Sequence, residues 1–89
     1  MASYALIKFK INKDFFDWEQ AFYSSQPMAR QAGIVELFHG RTDDDPQTCF
    51  VLAQVSSKEA MDKFFAEAGD SIASSGHILE STKVTMLNN

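Results

Sequence analysis

A histidine and an arginine in one short apolar stretch are the side chains whose type and spacing best suggest chemistry. His39 and Arg41 belong to residues 34–42, Ile-Val-Glu-Leu-Phe-His-Gly-Arg-Thr, a pattern typical of a β-strand. Because side chains alternate along a strand, both are predicted to share one face with Val35 and Leu37, roughly 7 Å apart. The ordinary pKa of histidine, about 6.5, suits an acid or a base near neutrality.

A histidine beside an arginine on a semi-apolar sheet suits an anionic or carbonyl-bearing ligand. His39 is therefore a weak candidate for catalysis, and both residues are candidates for ligand binding. The alternative reading is a hydrogen-bonded histidine at an interface or at the end of a strand.

Two glutamates are candidates for a buried general base, but the pattern favours structural roles. The same alternation places Glu36 on one face with Ile34 and Phe38, opposite to His39. Glu80 shares a face with Ile78 in the last predicted strand. Burial would raise the pKa of either carboxyl group. A salt bridge to a strand lysine is the simpler expectation for both.

The remaining reactive side chains predict neither a metal site nor a nucleophile. His77 follows Gly76 and is expected to cap the preceding turn or face solvent. Two histidines without a cysteine or carboxylate at ligand spacing do not make a metal site. Residues 43–45 are three consecutive aspartates, but the rest of a calcium loop is absent. Cys49 lacks a base partner and is read as a small buried residue. We expect no cofactor.

Aromatic residues occur at helical spacing in two segments. Phe15, Trp18 and Phe22 stand at i, i+3 and i+7, and Phe64 and Phe65 belong to a second such stripe. Such stripes are chiefly core. Eight Phe and four Met in 89 residues also suit a cavity for an acyl chain or an aromatic metabolite. Trp18, Phe22, Phe64 and Phe65 are thus the candidate ligand-binding residues of the apolar part.

Six elements are needed to position these side chains. Asn12 is expected to cap the first helix, and Ser57 the second. Pro27 lacks the amide hydrogen that a helix needs, so a break is predicted near Ser24–Gln26, with a second helical piece from Pro27 to Gly33. Asp70 is a candidate cap for a short turn after Gly69.

The predicted elements are a strand at 4–11, a helix at 13–25, strands at 34–42 and 48–55, a helix from 58 that Gly69 ends, and a strand at 78–87.

Strand, helix, strand, strand, helix, strand is the order of an α+β, ferredoxin-like βαββαβ domain, and we predict one such domain over residues 1–89. The predicted sheet has four antiparallel strands with the helices on one face. Strand 48–55 is apolar on both faces, whereas a sheet with one solvated face should alternate. No element remains to cover the second face. A homodimer that pairs two sheets is therefore expected, the alternative being a central strand with a modest apolar patch.

Composition excludes several classes of protein. Eight basic and 12 acidic residues give a net charge of -4, which does not favour nucleic acid. One cysteine excludes an internal disulfide, and no apolar run approaches the roughly 20 residues that span a bilayer. The opening residues do not look like a signal peptide. We expect a cytoplasmic protein without nucleic-acid or membrane partners.

The whole chain resembles the dimeric α+β barrel superfamily, as a pattern of elements and not through a motif. That superfamily includes cofactor-free monooxygenases of the antibiotic-biosynthesis type and muconolactone-isomerase-like enzymes. The segment Leu37-Phe38-His39-Gly40-Arg41, with Asp44-Asp45-Pro46, is also similar to small uncharacterised proteins of marine bacteria and cyanobacteria.

The resemblance implies a dimeric barrel, with any ligand cavity between the helices and the sheet. The monooxygenases resemble one another in an Asn and Trp constellation around a phenolic substrate. Trp18 is the one Trp here and Asn12 stands at a helix start, so the constellation is not matched position by position.

Three functions remain open on the sequence. The first is a homodimeric domain that binds a small hydrophobic molecule, with oxygenase or isomerase chemistry as a narrower form. The second is a non-catalytic interaction module whose dimer interface is its function. The third is RNA binding, since the RNA-recognition motif has the same element order. Its third strand should carry a basic and aromatic run, whereas only Phe50-Val51 is present here.

Overall fold

The computed structural model describes residues 2–89, which form four strands and three helices. The predicted βαββαβ order is confirmed, with one additional short helix. The elements are β1 (Ser3–Ile11), α1 (Phe15–Gln31), β2 (Ile34–Arg41), β3 (Thr48–Val55), α2 (Lys58–Glu67), α3 (Gly69–Ser74) and β4 (His77–Asn88).

The strands form one antiparallel sheet in the order β2-β3-β1-β4. The inward residues of β1 and β3 alternate and are buried, from Ala5 to Ile11 and from Cys49 to Val55. Phe15, Trp18 and Ala29 of α1 and Met61 of α2 pack against them in one core. The face of the sheet toward these helices is called the helix face below, and the other is the outer face.

Helix α1 is continuous, so the predicted break near Ser24–Gln26 is wrong. Pro27 lies inside the helix and is exposed. Pro27 cannot donate to the carbonyl of Tyr23, four residues earlier, and Tyr23 is itself an exposed residue. Buried Trp18 and Ala29 lie on either side of Pro27 along one helix face, and packing against the sheet holds both halves on one axis.

The helix caps are only partly as predicted. Asp14, not Asn12, caps α1, and its carboxylate accepts a hydrogen bond from Phe16 N at 3.0 Å. The backbone amide of Asn12 instead bonds Gly76 O. Ser57 caps α2 as predicted. No side chain caps α3, so the assignment of Asp70 is wrong.

Strand β2 contains a bulge that changes which residues share a face. Its register with β3 shifts between Glu36 and Phe38, so Leu37 is the extra residue. Glu36 lies opposite Ala53 and His39 opposite Val51, both inward positions of β3. Glu36 and His39 therefore both lie on the helix face. The predicted assignment of Glu36 to the other face is wrong because strict alternation fails across a bulge.

The outer face carries an apolar row across three of the four strands, β2, β3 and β1, and the row ends at Thr85 of β4. Phe38 pairs with Leu52, Leu52 with Leu6, and Leu6 with Thr85. Phe38 is 62% exposed, which makes it the most exposed large apolar side chain among residues 2–89. The prediction that β3 is apolar on both faces is thus confirmed, and the outer face is uncovered in the single chain.

The turn between β2 and β3 is held to β1 by one carboxylate. Asp45 accepts hydrogen bonds from Lys10 Nζ at 2.8 Å, from Thr48 Oγ1 at 2.6 Å and from Gln47 N at 3.0 Å. The bond from Lys10, followed by those from Thr48 and Gln47, lowers the pKa of Asp45 to about 2. The three aspartates therefore include a structural one, and the turn fixes the end of β2 that carries Arg41.

Candidate functional site

A cavity of about 520 Å³ lies between the helix face of the sheet and the three helices. This volume is within the range of small-molecule sites. Its wall is largely apolar, because β1 and β3 present their inward side chains to it while α1 and α2 present their aromatic stripes. The apolar lining residues are Ile7, Phe9, Trp18, Ala21, Phe22, Met28, Ala29, Ile34, Val51, Ala53, Met61, Phe64, Phe65 and Ile72.

Five Trp and Phe rings lie on this wall in two groups. Trp18 stacks on Phe22 with centroids 4.9 Å apart and meets Phe9 at 5.4 Å. Phe64 and Phe65 of α2 meet edge to face at 6.3 Å. Phe22, Phe64 and Phe65 are only partly buried. These rings leave space between them, and a flat apolar molecule would meet aromatic surface on more than one side.

One end of the cavity is polar, and the bulge in β2 creates it. Glu36 lines the cavity, and its Oε1 lies 3.3 Å from Nδ1 of His39. The other ring nitrogen of His39, Nε2, lies 2.6 Å from Oε2 of Glu19 on α1. The side chains of all three residues are largely buried, with His39 11% exposed. A carboxylate, an imidazole and a second carboxylate thus form a linear array from the cavity wall to α1.

The array is electrostatically constrained. An imidazolium donates from both nitrogens, whereas a neutral imidazole donates from one, so only the charged ring satisfies both carboxylates. The hydroxyl of Tyr23 donates to Oε2 of Glu19 at 3.5 Å. Burial, the charge of Glu19 and the hydrogen bond to it, and the charge of Glu36 raise the pKa of Tyr23. Tyr23 therefore keeps its proton at neutral pH and acts as a donor.

The array is not arranged as a metal site. The two carboxylates lie on opposite sides of the imidazole, so their oxygens do not converge on one point with a ring nitrogen. Within residues 2–89, no group of three or more His, Cys, Asp or Glu side chains has the arrangement that would hold a metal ion.

Arg41 lies away from the cavity wall. Its guanidinium stands over the rings of Phe15 and Phe16, at 4.7 and 5.0 Å from their centroids. His39 and Arg41 share the helix face, as the alternation predicts, but their head groups contact different neighbours. The residue that accompanies His39 at the cavity is Glu36.

His77 is buried, so the prediction of a capping or solvent-facing residue is wrong. Its ring stacks on Phe9 with centroids 3.9 Å apart and planes within 3° of each other, and Nε2 lies 2.7 Å from Thr82 Oγ1. Burial lowers the pKa of His77 to about 4. This residue lines the cavity as a neutral imidazole.

Alternation along β4 does not reveal the position of His77. It pairs with Ile11 and faces inward, yet Val84 and Met86 also pair with the inward residues Ile7 and Ala5. His77 is an odd-numbered residue, whereas Val84 and Met86 are even-numbered. All three lie on the same face because the register of β4 with β1 shifts between Lys8 and Lys10.

Cys49 and Glu80 play no part at the cavity. Cys49 is fully buried in β3, and burial raises the pKa of its thiol to about 11, against a smaller opposing effect of Arg41. It is therefore a thiol at neutral pH and a poor nucleophile. Glu80 is exposed on β4.

Four of the six sequence-predicted binding residues, Trp18, Phe22, Phe64 and Phe65, line the cavity. His39 lies directly behind Glu36 at the polar end, and Arg41 lies elsewhere. Sequence reasoning missed Glu36 and Glu19 as partners of His39. The spacing of Glu36 and His39, three residues in a strand, indicates a shared face only if a bulge is already known.

Comparison with known proteins gives a family and a fold. A sequence profile described as "Domain of unknown function (DUF3764)" matches residues 2–89. No curated protein matches the sequence.

Three solved structures illustrate the likeness of fold. A candidate antibiotic biosynthesis monooxygenase from Bordetella bronchiseptica has a TM-score of 0.76 at 14% identity, over 100% of this chain and 98% of that one. SnoaB, a cofactor-independent oxygenase from Streptomyces nogalater, has a TM-score of 0.68 at 14% identity, over 99% of this chain and 92% of that one. A Streptomyces coelicolor monooxygenase in complex with the ligand nanaomycin D has a TM-score of 0.63 at 15% identity, over 99% of this chain and 87% of that one.

At these identities the likeness shows the fold alone. The resemblance to antibiotic-biosynthesis-monooxygenase-like proteins, with their ferredoxin-like fold, is thereby confirmed.

Proposed function

This chain belongs to the DUF3764 family of domains of unknown function, and from its geometry we propose that it binds a small hydrophobic molecule in the cavity between helices and sheet. The observation that carries the proposal is the cavity itself, about 520 Å³ with an aromatic wall and one polar end. A concave space of this size with a mainly apolar wall and a few polar groups is typical of small-molecule sites.

The proposed ligand is an aromatic metabolite or an acyl chain. Trp18, Phe22, Phe64 and Phe65 contact its apolar body. Its polar end meets Glu36, and His39 holds that carboxylate in place through Nδ1. A Streptomyces coelicolor monooxygenase of similar fold is in complex with the ligand nanaomycin D, which supports small-molecule binding by a domain of this fold.

Titration followed by Trp18 fluorescence tests the proposal. Trp18 is the one tryptophan of the chain, lines the cavity and is 2% exposed. With N-phenyl-1-naphthylamine as a neutral probe, we expect saturable energy transfer from Trp18, and displacement by aromatic alcohols or long-chain alcohols. No saturable change with this probe would contradict the proposal.

A cavity-filling variant gives the matched control. Ala21→Phe places a ring into the space, because Ala21 lines the cavity. Ala66→Phe adds the same volume at an exposed position of α2 outside the lining. We expect Ala21→Phe to weaken probe binding at least about tenfold, and Ala66→Phe to leave it unchanged. Circular dichroism checks that both variants are folded.

A second proposal is that two copies pair through the outer face. The apolar row of Phe38, Leu52 and Leu6 crosses three adjacent strands of the sheet and is uncovered in the single chain. A two-fold axis would bring this row onto its own copy, because a two-fold interface uses the same surface on both subunits. A chain of this size also buries a modest share of its surface alone, about 60% for a 60-residue domain.

Sedimentation velocity tests the pairing. We expect a dimer for the natural chain and a monomer for Phe38→Glu. Phe16→Glu is the matched control, since Phe16 is 58% exposed but lies on α1, away from the outer face. A natural chain that sediments as a monomer would contradict the pairing and leave the ligand proposal intact.

A further inference from the structure

The cavity lacks any cationic lining residue. Of the residues 2–89 that line it, Glu36 is the one Asp, Glu, Lys or Arg. Its Oε1 faces His39, and lone pairs on both oxygens remain for a further donor. A carboxylate accepts several hydrogen bonds, and His39 uses one of these positions, so this end of the cavity favours a ligand that donates hydrogen bonds.

Hydroxyl groups on the wall reinforce this polarity. Ser24 and Ser25 of α1 donate to Gln20 O and Phe22 O, and Ser74 and Ser75 donate to Ser71 O and Ile72 O. Each hydroxyl hydrogen is already used within its own helical segment, so the oxygen is left as an acceptor. The wall between α1 and α3 therefore offers acceptors to a ligand.

Acidic groups outnumber basic groups in the array to which Glu36 belongs. Glu19 and Glu36 are two acidic groups, and His39 is the one basic group between them. The guanidinium of Arg41, which follows His39 on the helix face of β2, lies over Phe15 and Phe16. A cation at this end of the cavity would complete the charge balance, whereas an anion would meet a like charge.

Aromatic rings stand beside the same end. The ring of Phe22 lies 5.0 Å from that of His39, and the ring of Trp18 lies 6.1 Å from it. Aromatic faces attract an ammonium group through their quadrupole, and the attraction grows when the cation is removed from water. Both features, the carboxylate and the adjacent rings, suit the same kind of head group.

We infer that the preferred ligand of this cavity is a small hydrophobic amine, whose ammonium group bonds Glu36 and whose apolar body lies against the aromatic wall. The inference rests on the proposed function and narrows it. A free fatty acid is excluded as the preferred ligand, because its carboxylate would face Glu36 without a cation between them.

Four naphthalene probes of nearly the same shape separate these alternatives. They are 2-naphthylmethylamine, 2-naphthylmethanol, 2-methylnaphthalene and 2-naphthoate, each titrated at pH 7 against the natural chain and followed by Trp18 fluorescence. We expect the amine to bind at least about tenfold more tightly than the alcohol, because a charge-assisted hydrogen bond is roughly twice as strong as a neutral one. The carboxylate is expected to bind weakest.

Glu36→Gln removes the charge and keeps the shape. In this variant we expect the amine to lose its advantage over the alcohol while the alcohol binds within about threefold of its original affinity, which also shows that the variant is folded. Glu80→Gln, an exposed glutamate on β4, is the control and should leave the order of affinities unchanged.

The outcomes are distinguishable. Equal affinities of amine and alcohol in the natural chain would overturn the amine inference and leave the hydrophobic-ligand proposal standing. Tightest binding of 2-naphthoate, or an amine preference that survives Glu36→Gln, would also overturn it. Failure of all four probes to bind would overturn both.

Discussion

The imidazole of His77 lies flat against Phe9 in the core, and burial is the sole cause of its low pKa, about 4. The ordinary pKa of histidine is 6.5. Between these values the unfolded chain binds a proton that the folded chain excludes, so the free energy of unfolding increases with pH in that window. His77 therefore ties the stability of the core to pH without a charged partner.

We expect the free energy of unfolding to fall by roughly 3 kcal/mol through His77 alone as pH is lowered from about 7.5 to about 4. The contribution is fully present above about pH 6.5 and is lost as pH approaches 4. Urea unfolding at several pH values, followed by Trp18 fluorescence, measures it. His77→Phe keeps a ring on Phe9 and removes the titrating group.

The natural chain and His77→Phe contain the same carboxylates, so the difference between their free energies of unfolding at each pH isolates the effect of His77. As pH falls from about 7.5 to about 4, the natural chain should lose roughly 3 kcal/mol more of its free energy of unfolding than His77→Phe loses. Parallel curves over that range would show that His77 accepts a proton in the folded state as readily as in the unfolded one.

At the scale of elements, the bulge in β2 decides the chemistry of the cavity. It moves Glu36 and His39 onto the helix face while Phe38 stays on the outer face. Without the bulge, Glu36 and His39 would lie on opposite faces, because they are three positions apart and side chains alternate along a strand. One extra residue in a strand therefore creates both the polar end of the cavity and the most exposed residue of the outer face.

Deletion of Leu37 should be tolerated. The remaining residues then alternate regularly, with Glu36 and His39 inward and Phe38 outward, so each side chain keeps its face. We expect a folded protein that is less stable by about 1–2 kcal/mol, measured by urea unfolding. The polar end should change in geometry, because Glu36 and His39 become direct neighbours on one face.

Deletion of Leu52 is the matched comparison. This residue belongs to β3, an interior strand of the sheet, and its loss would turn part of the buried set of β3 to the outer face. We expect no cooperative unfolding transition for this variant. If the two deletions destabilised the protein equally, the bulge would not be the register device proposed for it.

Considered as a whole, the molecule has one sheet with two apolar faces and helices on one of them. The helix face holds the core and the cavity, and the outer face has exposed Val35, Phe38 and Leu87. No helix described by the structure is long and apolar enough to cross a membrane. The proposed ligand and the proposed second copy thus use opposite faces of the same sheet, and one can be disrupted without the other.

Pairing through the outer face would make stability depend on protein concentration. For a dimer that unfolds to two chains, the apparent free energy of unfolding rises by about 1.4 kcal/mol for each tenfold increase in concentration. We expect this dependence in the natural chain and its loss in Phe38→Glu, measured as the urea midpoint at two or more concentrations. A midpoint that does not move with concentration in the natural chain would contradict the pairing.

The sequence by itself determined the order of elements, the inward faces of β1 and β3, the aromatic stripes of the helices and the doubly apolar sheet. These are local patterns: side chains repeat every two residues in a strand and every 3.6 in a helix, whatever the strand or helix packs against. Gly33, with φ of +85°, and Ser57 likewise mark the end of α1 and the start of α2 as read from the sequence.

The tertiary structure alone decided what lies at the cavity. A bulge arises from the register of two strands against each other, so no pattern within residues 34–42 indicates that Glu36 turns toward His39, or that Glu19 of α1 meets the same ring. The burial of His77 depends likewise on a register shift against β1. The cavity exists because the helices stand far enough from the sheet to leave about 520 Å³, and that spacing is set by the packing of all the layers together.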